Sequence, residues 1–360
     1  MKASKPLAAT ISSLWLVTLG LCLNALKMSC SQLVVDRVDP LVNPGIIGSA
    51  HLHQIVGGDS FNATMDPSDD PAERSTCTTC TFADDFSNYW TAVMFFRARN
   101  GTYKRVRQQG VIFHEDAREG GITVYYLPPE ADHGRVTAFK KGFRMRTGDP
   151  GARTAEEAAR FQHIDYTCLW DVGERFSNRS VTFPRDPCPA GIITTLYFPP
   201  CWDGIHLDSS DHYGHVSWPL QGEIDKGAPC PETHPVVIPR VVLEIQWDTR
   251  EFNDPDLWPE DGSQPFVWSF GDDVGYGSHG DYVFGWRGDA LQRAMDDVEC
   301  SNLLCGLPQQ EISEANKCMK DRMVPEDIDG WLETLPGLTS EDNSEQEGDD
   351  SPPQCHMKRR

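Results

Sequence analysis

Apolar and polar residues alternate with a period of two in short bursts along most of the chain. Residues 92–97, 110–113, 122–127, 191–198 and 236–247 each read as a strand, and clusters of Gly, Pro, Asn and Asp separate them. Helical spacing is scarce. Residues 154–161 predict one short helix, and a second starts at Asp289, a residue suited to an N-cap, with Leu291, Met295 and Val298 along one face. No segment repeats. The pattern predicts a mainly β fold: an antiparallel sandwich or jelly-roll-like single domain with long loops, few short helices and disulfides.

The two ends depart from this pattern. Lys2 and Lys5 precede an apolar run from Leu14 to Leu23, broken by Thr18 and Gly20, with small polar residues around Ser29 to Ser31. A basic start, a short apolar segment and small residues read as a secretory signal over residues 1–30, too short and interrupted for a membrane span. No stable membrane insertion is expected after its removal. The domain is then expected over residues 31–306. Residues 307–360 read as an acidic, largely disordered tail, since Ser340 to Asp350 (SEDNSEQEGDD) cannot bury a core. Trp331 and Leu332 stand out in that tail as a candidate docked segment.

Composition narrows the setting. Of 12 cysteines in 360 residues, Cys22 and Cys30 are expected to leave with the signal. The ten that remain suggest disulfides in a secreted, extracellular or cell-wall protein. The CxxC of Cys77 and Cys80 would need a second, similar pair to hold zinc, and Cys300/Cys305 matches poorly. Sequons at Asn62, Asn100 and Asn178 fit a secretory route. A net charge of −22 excludes a nucleic-acid partner, which requires a basic face.

Candidate chemistry gathers in four places. In the first, His51 and His53 sit two apart and follow Gly45 after five residues, so on a strand both imidazoles face one side and form a natural pair of metal ligands. The spacing echoes the opening of a cupin metal motif, but the Glu expected downstream is absent. In the second, Cys201 holds Trp202 and Asp203 beside Asp211, His212 and His215. In the third, glycine-rich residues 268–282 carry His279 and Asp281, again alternating; no Lys-Ser/Thr follows, so this is no phosphate loop. In the fourth, Asn88, Tyr89 and Trp90, with Trp202, offer aromatic faces and hydrogen-bonding edges suited to sugar rings. For each region the competing reading is structural: hydrogen-bonded histidines, a stapled loop, a hairpin, or core aromatics.

Together these motifs resemble a fungal secreted family known as domain of unknown function 1996, found alone or beside WSC-type modules. The resemblance covers about residues 36–300. It runs through Arg37-Val-Asp39-Pro40, Pro44-Gly45, Ser49 to Gly57, Cys77-Thr-Thr-Cys80, Asp85 to Trp90, Gly142 to Met145, Cys201 to Gly204, Asp211-His212, His215-Val216, Cys230-Pro231, His234-Pro235 and Gly271 to Asp281. Ala92 and Lys140 stand where the pattern has prolines, and Pro200 where it has Ser. The resemblance implies a secreted, wall-associated setting and no particular reaction.

Three functional readings follow. The first is binding or acting on cell-wall polysaccharide through a His/Asp/Trp-rich cleft lined by Asn88, Tyr89, Trp90 and Trp202. The second is a metal-binding protein or metal-dependent enzyme. Here His51, His53, His212, His215 and His279 are ligands, Asp203, Asp211 and Asp281 complete a catalytic set with them, and zinc, copper or manganese is the cofactor. The third is a non-catalytic surface protein. A Gly-x-Ser-x-Gly elbow is missing, which argues against a serine hydrolase. The sharpest expectation is that all five histidines and all three aspartates meet at one site.

Overall fold

The computed structural model describes residues 25–110, 120–128, 135–161, 164–171, 179–220, 228–297 and 306–338. Two antiparallel sheets pack face to face. One has six strands in the order β1 (Leu26–Ser31), β7 (Gly121–Leu127), β15 (Arg240–Trp247), β11 (Gly191–Tyr197), β9 (Ile164–Leu169) and β10 (Arg179–Ser180). The other has five: β2 (Val34–Asp36), β3 (His53–Gly57), β4 (Asn88–Ala92), β17 (His279–Val283) and β8 (Arg144–Gly148). Two smaller sheets flank them. One is built from β16 (Phe266–Trp268), β5 (Met94–Arg97), β6 (Tyr103–Arg105) and β18 (Trp331–Leu332); the other from β13 (Val216–Ser217), β12 (Cys201–Trp202) and β14 (Val236–Val237). The described helices α1 (Pro71–Arg74), α2 (Ala155–Ala158), α3 (Ala290–Asp296) and α4 (Ile312–Ala315) are all short. None is long and apolar enough to cross a membrane. The mainly β, antiparallel sandwich is therefore the fold the alternation predicts.

Local chemistry explains the element boundaries. The 92–97 run divides at Val93, where the chain leaves β4 and enters β5. The 236–247 run divides at Pro239, which lacks the N–H a ladder needs. Thr154 starts α2 with a capping box: its hydroxyl accepts the Glu157 N–H, and Glu157 reaches back to the Thr154 N–H. Asp289 opens α3 without capping it, because its carboxylate is taken by the Arg293 guanidinium at 2.9 Å. Residues 111–113, Val298, Cys300 and Cys305 lie outside the described residues.

The inter-sheet core holds Ile122, Val124 and Tyr126 of β7 and Leu243 and Ile245 of β15 against Val56 of β3, Tyr89 of β4, Tyr282 of β17 and Met145 of β8. One polar chain crosses it. Tyr89 donates to Asp85 at 2.6 Å, so the Tyr126 hydroxyl, 2.6 Å from Tyr89, donates to Tyr89 in turn. Tyr282, at 3.0 Å, and the Trp286 indole N–H, at 3.0 Å, both donate to Tyr126. The opposite face of the five-stranded sheet is covered by the segment between β2 and β4. There Val34, Ile55 and Trp90 pack with Leu41, Phe61 and Met65.

Disulfides join Cys30–Cys80, Cys77–Cys318, Cys168–Cys188 and Cys201–Cys230. Cys77 and Cys80 thus form neither a pair nor a metal knuckle. Cys30, expected to leave with a signal, is bonded to Cys80 inside β1, whose Leu26, Met28 and Cys30 enter the core. The small polar residues that resemble a cleavage site are buried here: Ser29 and Ser31 are covered by residues 79–81, whose backbone exchanges hydrogen bonds with theirs. Residues 306–338, assigned by composition to the tail, belong to the fold. Gln309 bridges to Phe82, Cys318 is stapled to Cys77, and Trp331 and Leu332 form β18 against β6. Charge-rich composition hid the few apolar anchors, Ile312, Ala315, Val324, Ile328 and Leu335, that hold it.

Candidate metal centre

Strand alternation builds the site. Leu52 is buried in a small core with Val35, Val93 and Phe95. Its neighbours His51 and His53 therefore turn to the opposite side, with ring centroids 4.3 Å apart. On β17, Gly280 faces the inter-sheet core, where a Cβ would meet Leu196 Cδ1 at 2.9 Å. His279 and Asp281 consequently face away from that core. His53 lies opposite Ala92 and His279 opposite Gly148, two partners with little or no side chain. Gly148 has φ +79°, and a Cβ there would sit 2.1 Å from the Ser278 carbonyl oxygen and 2.7 Å from His279 Cα. Only glycine permits that approach.

The result is a buried cluster of three imidazoles. One ligand atom from each of His51, His53 and His279 lies within 4.8 Å of the other two. The rings of His51 and His279 stand edge to face at 5.0 Å, and those of His53 and His279 at 5.8 Å. His51 Nε2 is 3.1 Å from His279 Nε2. Two nitrogens bound at about 2.05 Å to one tetrahedral zinc stand roughly 3.3 Å apart, so this pair is already near ligand spacing.

Backbone groups fix one tautomer. His279 Nδ1 is 3.0 Å from the Gly277 carbonyl. A carbonyl only accepts, so Nδ1 carries the proton and the Nε2 lone pair faces His51. Gly277 is itself set by Asp272, whose carboxylate accepts the N–H groups of Val274, Gly275 and Gly277 at 2.9, 3.1 and 2.6 Å. Thr91 donates to the His279 carbonyl at 2.7 Å, and Ser269 to that of Leu52 at 2.8 Å. Neither ring nitrogen of His53 makes a full hydrogen bond, although the ring is wholly buried.

Burial sets the protonation of the cluster. It drives His51 well below the usual histidine range, with repulsion from His53 and His279 adding to the effect. It takes His53 down to about 3, against a smaller opposing pull from the Val38 backbone. It takes His279 down to about 4, His53 adding to the shift. All three rings are neutral at pH 7, the form that ligates a metal. Two buried carboxyl groups, Asp281 and Asp39, lie close by. Burial, and then the charge of Asp39, pushes Asp281 well above the carboxylate range. Burial raises Asp39 too, against hydrogen bonds from the Val42 and Leu41 N–H groups. Phe270 packs edge-on to His51 at 4.9 Å, and the Arg153 guanidinium lies over its ring at 5.7 Å.

The other expected residues do not join the cluster. Residues 207–212 dock along the outer edge of β8: Arg144 N–H donates to the Leu207 carbonyl at 3.0 Å, and Arg146 N–H to that of His212 at 2.9 Å. There each side chain is engaged locally. Asp203 holds His206 at 2.6 Å and Asp208 holds His212 at 2.7 Å. Ser209 donates to Asp211 at 2.7 Å and lies 2.9 Å from His215 Nδ1. Asp203, Asp211, His212 and His215 therefore brace a loop one strand away from the imidazoles. His212 has φ +56°, a conformation the Asp208 contact stabilises.

The residues expected to line a sugar cleft are also elsewhere. Tyr89 and Trp90 are fully buried, Trp202 is 3 % exposed, and Asn88 is fully buried, donating to the Val56 and Gly58 carbonyls. Trp202 donates its indole N–H to the His206 carbonyl at 2.6 Å. Burial of an aromatic beside a polar residue looks the same in sequence as a binding platform, and only packing separates the two. Conversely, the sequence did not single out Asp39, Gly148 or Phe270 as part of this site. Asp39 sat in a recognised motif, but nothing in spacing placed it near His279.

The family model for a domain of unknown function, number 1996, matches residues 39–286. The chain belongs to that family. The matched span holds all three imidazoles together with Asp39 and Asp281. No match is found among curated proteins or among solved structures.

Proposed function

We propose that this domain of unknown function binds one zinc or copper ion through His51, His53 and His279. The observation that carries the reading is the convergence of three buried neutral imidazoles, His53 from β3, His51 from the bend just before it and His279 from β17, with neither ring nitrogen of His53 making a full hydrogen bond. Buried polar groups are otherwise satisfied in folded proteins, and an ion would supply what His53 lacks. An all-imidazole set favours zinc and copper over magnesium and calcium, which want oxygen. Manganese loses ground for the same reason, since no carboxylate lies within the ligand distance of all three rings among the described residues. The sugar-binding reading is left without its residues. An extracellular setting fits the four disulfides.

Metal analysis of protein purified without an affinity tag, and calorimetric titration of metal-stripped protein with zinc and copper, test this. One ion per chain is expected. His53→Ala and His279→Ala are expected to lower affinity by more than the roughly 100-fold that loss of an outer partner alone can cause, with the fold retained by circular dichroism. Stoichiometric binding that survives both substitutions would place the ion elsewhere.

A further inference from the structure

Residues 319–324 run beside β2, the edge strand of the five-stranded sheet, and dock on it at two ends. The Lys320 N–H donates to the Leu33 carbonyl at 3.2 Å, and the Met323 and Val324 N–H groups donate to the Asp36 carboxylate. Between those points no main-chain hydrogen bond joins Val34 or Val35 to the segment among the described residues. The gap is a cavity of about 350 Å3 that none of the three imidazoles lines. That volume lies near the lower end of the range for small-molecule sites, about 300–1,000 Å3. We infer that this cavity binds a small organic monocarboxylate, whose charge is met by Arg105.

The state of Arg105 points to an anion. Its side chain is 5 % exposed and lines the cavity. A guanidinium carries five N–H donors and is always charged, so burying it is costly unless it is paired. Nε and Nη2 both donate to one oxygen, Asp329 Oδ1, at 3.0 and 2.6 Å. Asp329 is half-exposed, and Arg107 Nη2 draws on the same oxygen from 3.8 Å. One carboxylate oxygen thus serves two guanidinium groups. Arg105 Nη1 makes no hydrogen bond among the described residues and is not sealed in the core; the open space beside it is this cavity.

The rest of the lining sets the kind of anion. Arg105, Lys320 and Arg322 stand against Asp321 and Asp329, an excess of one positive charge in a chain of net charge −22. The Arg322 guanidinium donates to the Glu326 carbonyl at 2.8 Å and has no carboxylate partner among the described residues. A single excess charge suits a monoanion better than a doubly charged phosphate. Val34 packs into one apolar core and Val35 into another, so β2 turns its backbone edge to the cavity. Main-chain groups of an edge strand suit an amide on the ligand, and Leu33 and Ile328 add apolar wall.

Calorimetric titration of the full-length protein with N-acetylglycine, with its neutral analogue N-acetylglycinamide and with inorganic phosphate tests the assignment. One N-acetylglycine per chain is expected, with the other two probes at least tenfold weaker. Arg105→Gln should weaken N-acetylglycine at least tenfold, and Asp329→Asn, which removes the competing carboxylate, should tighten it at least threefold. Arg322→Gln changes an exposed side chain, should weaken binding at least threefold, and carries the test if Arg105→Gln misfolds. Absence of N-acetylglycine binding, or equal binding of the neutral analogue, overturns the anion site. Tighter binding of phosphate overturns the carboxylate preference. Affinities within twofold of wild type in every folded variant overturn the location.

Discussion

Asp85 shows how a single buried group sets a measurable property. It is wholly buried, and burial raises its carboxyl to about 6, against hydrogen bonds from Ser87 and Tyr89. Between about pH 4 and pH 6 the native state holds a proton that the unfolded chain, with an ordinary value of 3.8, has released. The contribution of Asp85 to stability therefore falls as pH rises through that window and is level above it, a change on the order of 3 kcal/mol. Asp85→Asn removes the titrating group and keeps an acceptor for the tyrosine chain. Melting temperatures recorded from pH 4 to pH 7 should show a shallower decline for the variant than for the wild type. An identical profile would mean that Asp85 does not titrate in the core. Tyr126→Phe is expected to be worse at every pH, by about 1–3 kcal/mol, because Trp286 and Tyr282 then lose their acceptor.

At the scale of elements, the site depends on how closely β8 and β17 approach. Gly148 faces His279 in register, and any side chain there meets the Ser278 backbone. Gly148→Ala is expected to cost about 1–3 kcal/mol, since it combines strain at positive φ with a clash against backbone. Because the displaced atoms belong to His279, the same variant should bind zinc at least tenfold more weakly. Gly101→Ala, also at positive φ but with open space around its Cβ, separates strain from displacement: it should lose stability and keep metal affinity. Equal metal affinities in the two variants would show that the β8–β17 approach does not position the imidazole.

Across the whole molecule, the Cys77–Cys318 bridge ties residues 306–338 to the rest of the fold over a separation of 241 residues. A cross-link closing so long a loop contributes about 2–5 kcal/mol. Replacing both cysteines with Ala should lower the unfolding midpoint and open residues 306–338 to protease before the sandwich itself is cut. Simultaneous cleavage throughout would instead mark one cooperative unit. Metal acts on the same scale: zinc at about 1,000 times its dissociation constant should stabilise the protein by roughly 4 kcal/mol. That shift should vanish in His53→Ala.

Alternation alone carried the sequence far. It placed strands over residues 122–127 and 191–198, the antiparallel sandwich, and the shared face of His51 and His53, because side-chain direction in a strand is a local property of the backbone; the cysteine count separately pointed to the disulfides. Motif order placed the family. Tertiary structure decided which histidines meet. His279 joins His51 across 228 residues because β4 lies between β3 and β17 in the sheet and Gly148 lets β8 close on His279. His212 and His215 stay apart because residues 207–212 spend their hydrogen bonds on the β8 edge and on Asp208 and Ser209. The fate of the aromatics was likewise decided by packing: Tyr89, Trp90 and Trp202 fill cores. Strand order and burial arise from contacts between residues far apart in the chain, and no local pattern encodes which distant strand becomes a neighbour.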